Sequence, residues 1–477
     1  MRKKGSVTVF LTLILSLLLS LICASIESVR MASARTQILN GMDIGLYSLF
    51  GQYDKELLTD YDLFALDGSR GGGQLDLAAV CDELEAYMNP VLKQNSQKLT
   101  LCQSGLTGYR LLTDQKGEAF YQQIVGYMQE TLGSQGIQLL LGRMSERQEK
   151  TAQADQSANQ AQSKGSIDRY DSEMNQASEK SQQAAEEAQV VPQAPPAKNP
   201  ITIMKRIMKR GVLELVLPGG NGLSTKEIEK GTLVSGRGLQ QGMEMPDGMT
   251  VENSYTSEVL FQQYLMEHLG SYAEPSSTGL AYQVEYIFGG KDSDEDNLKA
   301  VASKLLFIRE GVNFACLMAD NVKRSEAQAL ATAIASGFLV PPAAVIIEAA
   351  LILCWAFAES VLDVRELFAG GRIPLVKSSG DWQISLENLP DLMEGLYSMR
   401  RNDEQGMSYK DYLQVLVLTV SKEKKVMRAM DMIENTIREK GRKNFCMDSC
   451  IVALEAFADV KANKKKDFQV IRQYCYE

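Results

Sequence analysis

The chain has a single histidine, His268, which limits the chemistry that imidazole groups can supply. One histidine excludes a histidine-rich zinc site and the HExxH pattern of zinc proteases, in which two histidines bind the metal. His268 falls in the last turn of a helix predicted over 254–269, where the helix dipole favours a cation. The sequence therefore predicts a helix-end histidine rather than a catalytic one.

Three aspartates at alternate positions, Asp292, Asp294 and Asp296, resemble the start of a calcium-binding loop. The pattern then fails, because Asn297 stands where such a loop needs glycine and Ser303 stands where its closing glutamate should be. Acidic residues also complement the dipole at the N-terminus of a helix. We therefore predict that this run begins a long helix over 298–318.

The segment from Gly231 to Gly238 (GTLVSGRG) is a near match to a phosphate-binding loop. Arg237 replaces the lysine of that motif, and Gly238 replaces its serine or threonine. Neither a preceding strand nor a following helix is evident, so we do not predict a phosphate site.

Cys446 and Cys450 would share one face of a helix, where Cys475 could join them as metal ligands. Three ligands fall short of a structural zinc site, so unpaired thiols are the simpler interpretation. A serine nucleophile with a lysine base, drawn from distant segments, stays an alternative that no local motif supports. We accordingly predict no catalytic, cofactor-binding or metal-binding residues and no cofactor.

Composition narrows the class of protein further. The 477 residues are 45% hydrophobic, which is enough for a large core, and the net charge is −10. An acidic chain disfavours nucleic acid as a partner. Eight cysteines spread thinly over this length do not form a disulfide scaffold.

The first 27 residues read as a membrane anchor. Arg2, Lys3 and Lys4 precede an uncharged apolar run over 7–26, which ends at Glu27. Twenty helical residues match a hydrocarbon core of about 30 Å, and the basic cluster places the N-terminus in the cytoplasm. The predicted anchor residues include Val7, Phe10, Leu15, Leu19 and Ile26. The expected location is the cell membrane, with one span and the bulk of the chain outside the cytoplasm.

A cleaved signal peptide is the rival interpretation of this run. The run is longer than a signal-peptide core of about 7–15 residues, and Ile22 is bulky where a cleavage site needs a small residue. The residues from Ser25 to Phe50 contain no proline and keep apolar residues near helical spacing. We predict one long helix that begins in the membrane and continues into the outer domain.

Four regions follow from composition. Residues 1–27 are the basic start and the anchor, 28–145 form a helical region, 146–200 are a linker or solvated helix of Gln, Ala, Ser and Pro, and 201–477 form a C-terminal α+β domain. Residues 280–288 alternate in hydrophobicity and are predicted to form a strand, and residues 451–460 and 468–476 are predicted to form two strands joined by a lysine-rich turn. Together the three could form a small antiparallel sheet. The predicted fold class is α+β, mostly helical, with a transmembrane helix that continues into an extracytoplasmic head.

A second hydrophobic region covers 327–364, split by Pro341 and Pro342. Its later part carries Glu348 and Glu359, and carboxylates inside a membrane cost about 2.5–3.5 kcal/mol each on insertion scales. A buried hairpin of two core helices is therefore favoured, and a second span or re-entrant pair is the alternative.

The N-terminal residues Gly5 to Leu11 (GSVTVFL) resemble the TadE/TadG-like, pseudopilin-type N-termini of tight-adherence (Tad/Flp) pilus systems. Together with YDKELLTDYDLFALDGS and WAFAESVLDVRELFAGGRIPLVKSSGDW, they resemble an uncharacterised family of membrane-anchored proteins associated with Tad-type loci of Gram-positive bacteria. The resemblance implies prepilin-type processing between Gly5 and Ser6. Pilin-type subunits carry glutamate at the fifth position after the cut, where this chain has Phe10. This departure weakens the expectation of cleavage and of incorporation into a filament.

Two functions remain open from the sequence. The first is a non-enzymatic, single-pass surface protein, an accessory or pseudopilin-like component of a Tad-type pilus or secretion assembly. Its partners would be the lipid bilayer and the proteins of that assembly. The alternative is a membrane-anchored extracytoplasmic hydrolase, which predicts a cleft that gathers several acids or a serine–lysine pair.

Overall fold

A computed structural model describes residues 4–93, 99–164, 172, 175–176, 179, 200–217, 222–243, 245, 254–337, 344–391, 406–462 and 466–476. The basic residues Arg2 and Lys3, the prolines Pro341 and Pro342, and most of the linker predicted over 146–200 lie outside these residues. The described part is mostly helical with small antiparallel sheets, which confirms the predicted α+β class.

The helices and strands are numbered in chain order. The helices are α1 Lys4–Phe50, α2 Lys55–Tyr61, α3 Leu77–Lys93, α4 Asp114–Lys164, α5 Pro200–Met208, α6 Val212–Val216, α7 Tyr255–His268, α8 Gln283–Gly289, α9 Asp294–Ala319, α10 Asn321–Gly337, α11 Ala344–Phe368, α12 Tyr409–Leu418 and α13 Lys422–Glu439. The strands are β1 Leu66–Asp67, β2 Leu99–Leu111, β3 Arg372–Ile373, β4 Met407–Ser408, β5 Cys450–Ala462 and β6 Lys466–Cys475.

The chain divides into two compact units. Unit 1 comprises Met1–Tyr127, Gly231–Glu252 and Ile437–Glu477, and unit 2 comprises Met128–Lys230 and Asn253–Thr436. The sequence had placed the C-terminal strands in a domain over 201–477, whereas the structure groups them with the N-terminal region. The reason is that β5 pairs with β2, more than 300 residues earlier in the chain, and local patterns do not reveal such pairing.

Unit 1 is built around β5, which is antiparallel to all its neighbours: β2 lies on one side, and β1 and β6 pair with it along the other. The predicted strands over 451–460 and 468–476 are confirmed as β5 and β6. The β2 strand was not predicted, and its register with β5 shifts at three places. The outer half of α1 and the helix α3 pack on this sheet around a shared apolar core.

Unit 2 is an assembly of helices in which α11 is the central one. Nearly all side chains of α11 from Ile347 to Phe368 are buried, with α9, α10, α5 and α6 packed around it. The α5 helix buries Ile201, Met204 and Ile207. Ser408 and Asp411 form a capping box at the start of α12.

The prediction of a strand over 280–288 is wrong, because Gln283–Gly289 forms the helix α8. A half-buried strand would place Gln283 and Glu285 on the face opposite the apolar residues, but both side chains are buried. Gln283 accepts a hydrogen bond from the Gly270 N–H at 3.0 Å, and Glu285 accepts one from the Tyr272 N–H at 2.8 Å. These polar groups are inside because they satisfy the backbone of the loop before α8, which alternation in the sequence does not show.

Candidate functional site

The first half of α1 presents large apolar side chains to its surroundings on every side. All five predicted anchor residues are exposed, with exposed fractions between 51% for Ile26 and 61% for Val7. Gly5 and Ser6, the predicted processing positions, lie in the first turns of the same helix. Isolated exposed apolar residues are common on soluble proteins, but a continuous apolar helix surface of this size indicates a membrane or a protein partner.

The polar residues of this half of α1 are compatible with a hydrocarbon environment. Thr12, Ser16 and Ser20 each donate a hydrogen bond to the carbonyl oxygen three residues earlier, at 2.8–2.9 Å. Their hydroxyl groups are thereby satisfied within the helix, which is what a segment in lipid requires. No charged residue occurs between Lys4 and Glu27.

Two described helices are long and apolar enough to cross a membrane. The first is the Val7–Phe50 part of α1, whose most apolar window has a mean hydropathy of 2.7 and is 0% buried within the protein. The second is α11, with a mean hydropathy of 2.1, but 78% of its window is buried inside the protein. The burial of α11 favours the core-helix alternative for 327–364.

The second half of α1 joins the apolar half to the folded core of unit 1. Ala34, Ile38, Met42 and Leu46 are buried at the helical spacing of one face. Gly45 lies on this face, where a Cβ atom would approach the Met88 Cγ atom of α3 to 2.7 Å. The absence of a side chain at Gly45 therefore lets α1 and α3 pack closely.

We expect Gly45→Ala to destabilise unit 1, since overpacking a tight contact costs about 1–3 kcal/mol and outweighs the better helix propensity of alanine. Gly126→Ala is the matched control, because nothing lies within 4 Å of a Cβ atom at this helical glycine. Denaturant unfolding monitored by circular dichroism should give a lower midpoint for Gly45→Ala and an equal or higher one for Gly126→Ala. Equal midpoints for the two variants would show that the α1–α3 contact is not tight.

Unit 2 contains a buried cluster of two cations and two carboxylates around α11. Arg309 of α9 contacts Asp363 with N–O distances of 2.8 and 2.9 Å, and Lys377 bridges Asp363 to Glu359. All four charged groups are almost fully excluded from solvent. We call these four residues the ion-pair cluster.

Neutral groups complete the hydrogen bonding of this cluster. Arg309 also donates to the carbonyl oxygens of Pro374 and Leu375 at 3.0 and 2.9 Å. Glu359 accepts from the N–H groups of Gln383 and Ile384 at 3.0–3.1 Å. The cluster thus holds the chain after β3 against α11, and its equal numbers of positive and negative charges limit the cost of burial.

The pKa values of the two carboxyl groups move in opposite directions. Burial raises the pKa of Glu359 despite the nearby ammonium group of Lys377. Burial alone would also raise the pKa of Asp363. The positive charges of Arg309 and Lys377 outweigh this effect and lower the pKa of that carboxyl group. Asp363 is therefore the firmly ionised partner of the two.

A hydrolase would need a nucleophile and a base that a substrate can reach. Ser360 lies beside the ion-pair cluster, but its hydroxyl group donates to the Ala356 carbonyl oxygen at 2.6 Å and receives a hydrogen bond from Asn313 at 3.0 Å. Lys377 is bound by two carboxylates, and Ser360 is 0% exposed. The arrangement does not have the features of a serine–lysine catalytic pair.

The residues that the sequence singled out are placed as follows. His268 ends α7 and stacks on Tyr264 with ring centroids 4.0 Å apart, which confirms its helix-end position. Asp294 begins α9, and its carboxylate accepts hydrogen bonds from the N–H groups of Ala281 and Tyr282 at 2.9 and 3.0 Å. This confirms that the aspartate run begins a helix.

The residues of the glycine-rich and cysteine motifs do not form a binding site among the described residues. Arg237 makes a structural ion pair, and the cysteines do not share a helix. Arg237 pairs with Asp448 at 2.5 Å, so the guanidinium group of the near-match phosphate loop is bound to a carboxylate. Cys450 opens β5 and Cys475 ends β6, rather than lying on one helix with Cys446. Among the described residues, no three histidine, cysteine, aspartate or glutamate side chains are grouped to hold a metal ion.

Unit 1 contains a second cluster of charged residues, which was not predicted from the sequence. Arg442 binds Asp54 at 2.5 Å, Asp67 at 3.0 Å and Glu56 at 3.4 Å. Asp54 also caps α2 by accepting hydrogen bonds from two backbone N–H groups. Three of the five acidic residues of YDKELLTDYDLFALDGS are thus bound by one arginine of the C-terminal segment, and in this structure they join distant parts of the chain.

Comparison with known proteins places the chain in a family. A family model described as "Family of unknown function (DUF5702)" matches residues 192–462, which is more than half of the sequence. The chain belongs to this family. The DUF5702 match includes the ion-pair cluster and β5, while α1 precedes it. Searches of curated proteins and of solved structures return no significant match.

Proposed function

We propose that this member of the DUF5702 family is a non-enzymatic, single-pass membrane protein whose N-terminus is cytoplasmic and whose two units lie outside the cytoplasm. The observation that carries this proposal is the continuity of α1, which is apolar and exposed over 7–26 and packed into unit 1 from Ala34 onward. A helix of this kind can fix the folded part at a set distance from a bilayer.

The proposed role is an accessory or pseudopilin-like component of a Tad-type pilus or secretion assembly. The support is the resemblance of the N-terminal residues to pilin-type starts, together with the enclosed state of the ion-pair cluster, which argues for a structural rather than a catalytic use of its charges. The alternative, an anchored hydrolase, would need an active site other than this cluster.

Two exposed native cysteines allow a direct test of topology. Cys102 and Cys475 are exposed in unit 1, whereas Cys354 and Cys450 are buried. A membrane-impermeant maleimide should label the protein on intact cells. The Cys102→Ser/Cys475→Ser variant should lose most of this labelling, because Cys81, Cys316 and Cys446 are only partly exposed. Labelling that requires permeabilised cells would contradict the proposed orientation.

The proposed partners can be tested separately. Chemical cross-linking of living cells, followed by mass spectrometry of adducts of this chain, should recover pilus or secretion assembly proteins. Recovery of lipid or cell-wall molecules cross-linked to the protein, without assembly proteins, would favour the hydrolase instead.

The pH dependence of unit 2 provides a further expected result. Glu285 is fully buried, and its burial raises the pKa of its carboxyl group to about 7 despite the hydrogen bond from the Tyr409 hydroxyl. Because this folded-state pKa exceeds the unfolded value of 4.5, the folded form binds more protons, and stability should fall as pH rises from 4.5 through 7. The loss would amount to about 3 kcal/mol.

Glu285→Gln should remove the share of the pH dependence that Glu285 contributes, because the amide keeps an acceptor oxygen for Tyr272 and Tyr409 but does not ionise. Burial also raises the pKa of Glu310 to about 7, so Glu310→Gln should remove a second share. Guanidinium unfolding at pH 5 and pH 8 measures both. A Glu285→Gln protein with the full wild-type slope would show that Glu285 does not titrate in this range.

A further inference from the structure

The described part of unit 2 contains an open cleft of about 620 Å³, lined by α4 and by residues of β3 and β4. Four cationic side chains line it: Arg143, Arg147 and Lys150 of α4, and Arg372 of β3. The three on α4 follow i, i+4, i+7 spacing and therefore share one helix face. In a chain of net charge −10, this is a local concentration of positive charge.

Two of these cations already have carboxylate partners. Arg147 pairs with Asp411 at 2.8 Å, and Lys150 pairs with Glu146 one helical turn earlier. Asp381, the third carboxylate that lines the cleft, accepts a hydrogen bond from the Ser378 N–H at 2.8 Å.

The other two cations remain available to a ligand. Arg143 and Arg372 are exposed, and neither has an ion-pair partner within the described residues. Within the described part of the chain, the cleft therefore presents two guanidinium groups without a carboxylate partner, one on α4 and one on β3.

The helical side of the cleft is packed on the core of unit 2, and the lining of the cleft is apolar in part. Met144, next to Arg143, is 0% exposed and packs with Val259 and Val415, which fixes this stretch of α4. Val376, which lines the cleft, is 67% exposed. A ligand that fits would combine negative charge with an apolar group.

We propose that this cleft binds an acidic polypeptide segment, with carboxylates paired to Arg143 and Arg372 and an apolar side chain packed against Val376. A guanidinium group has a planar set of donors that matches a carboxylate. The cleft volume falls within the range of about 300–1,000 Å³ that is usual for ligand sites. Its own carboxylates disfavour a compact dianion such as inorganic phosphate, whereas a peptide spreads single charges along its length.

The test uses the full-length protein in nanodiscs and two fluorescein-labelled decapeptides. One peptide carries four glutamates and two leucines among glycine and serine, and the other replaces the glutamates with glutamines. Fluorescence anisotropy at low salt should show at least tenfold tighter binding of the glutamate peptide, and added salt should weaken it. Equal binding of the two peptides would overturn the proposal.

Matched charge reversals locate the binding. Arg143→Glu/Arg372→Glu should weaken binding of the glutamate peptide at least tenfold. Arg206→Glu/Lys209→Glu, which changes the same net charge at two exposed positions of unit 2 away from the cleft lining, should leave it within twofold. Equal loss in both variants, or full displacement of the peptide by equimolar inorganic phosphate, would overturn the proposal.

Analytical ultracentrifugation then separates the two sources of an acidic segment. If the segment belongs to a second copy of this chain, the wild-type protein self-associates and Arg143→Glu/Arg372→Glu does not. If the segment belongs to another protein, both are monomeric while only the wild-type protein binds the glutamate peptide.

Discussion

Lys377→Met should destabilise unit 2 by about 3–5 kcal/mol, which is the usual cost of removing one partner from a buried ion pair. Lys377 is the only member of the ion-pair cluster that contacts both carboxylates. Without it, Glu359 keeps only the N–H groups of Gln383 and Ile384 as partners in the cluster region. Methionine fills a similar volume, so the expected loss comes mainly from the uncompensated charge.

Tryptophan fluorescence is a suitable measurement, since the chain has two tryptophans and both lie beside this cluster. Trp355 and Trp382 have ring centroids 5.8 Å apart, and the ammonium group of Lys377 is 5.9 Å from the Trp382 ring. Lys323→Met is the matched control, because Lys323 lies 5.3 Å from both rings but outside the cluster. Lys323→Met should lower the free energy of unfolding by about 1 kcal/mol or less.

The pH dependence distinguishes loss of charge from loss of packing. In Lys377→Met, the buried carboxyl group of Glu359 no longer faces a cation, so its folded-state pKa should rise further above the unfolded value. Stability of this variant should then recover as pH falls and Glu359 binds a proton. A deficit that is the same at pH 5 and pH 8 would show that packing alone causes it.

The second large effect is expected at the apolar half of α1. Leu15→Arg/Leu19→Arg should release the protein from the membrane, because each arginine at the centre of a span costs about 2.5–3.5 kcal/mol on insertion scales. The measurement is the distribution of the protein between the alkaline-extracted membrane pellet and the supernatant.

Val29→Arg/Ile44→Arg is the control for this experiment. Both residues are exposed on the same helix but lie after Glu27, outside the uncharged run. This variant should stay in the pellet with the wild-type protein. Retention of Leu15→Arg/Leu19→Arg in the pellet would mean that another segment, such as α11, holds the protein in the membrane.

The sequence predicted the elements whose signal is local. The charge-free run over 7–26 and the absence of proline up to Phe50 predicted one continuous helix, and α1 runs from Lys4 to Phe50. Residues 451–460 and the lysine-rich turn after them predicted a strand, and the apolar residues of β5 belong to the core of unit 1. These patterns depend on neighbours only a few residues apart.

The elements that were missed depend on distant partners. The β2 strand contains Gly105 and Gly108 and pairs irregularly, so its strand conformation follows from pairing with β5 rather than from its own residues. Conversely, the alternation over 280–288 was typical of a strand, but Gln283 and Glu285 are inside because they bind loop N–H groups.

The ion-pair cluster had one signal in the sequence. Glu359 and Asp363 are four residues apart within the most apolar stretch after the run over 7–26, and two carboxylates on one face of a buried helix require cations nearby. The identity of those cations was not predictable, because Arg309 lies 54 residues before Asp363 and reaches it only through the packing of α9 on α11.

The most direct test of the proposal that α1 is a lasting anchor is to determine the first residue of the membrane-bound protein. The measurement is the intact mass of the species that remains in the alkaline-extracted membrane pellet of native cells. We expect a chain that starts at Met1, or at Ser6 after prepilin-type processing, with the run over 7–26 retained. A mature protein that starts near Ser25, or that is found in the culture medium without this run, would contradict it.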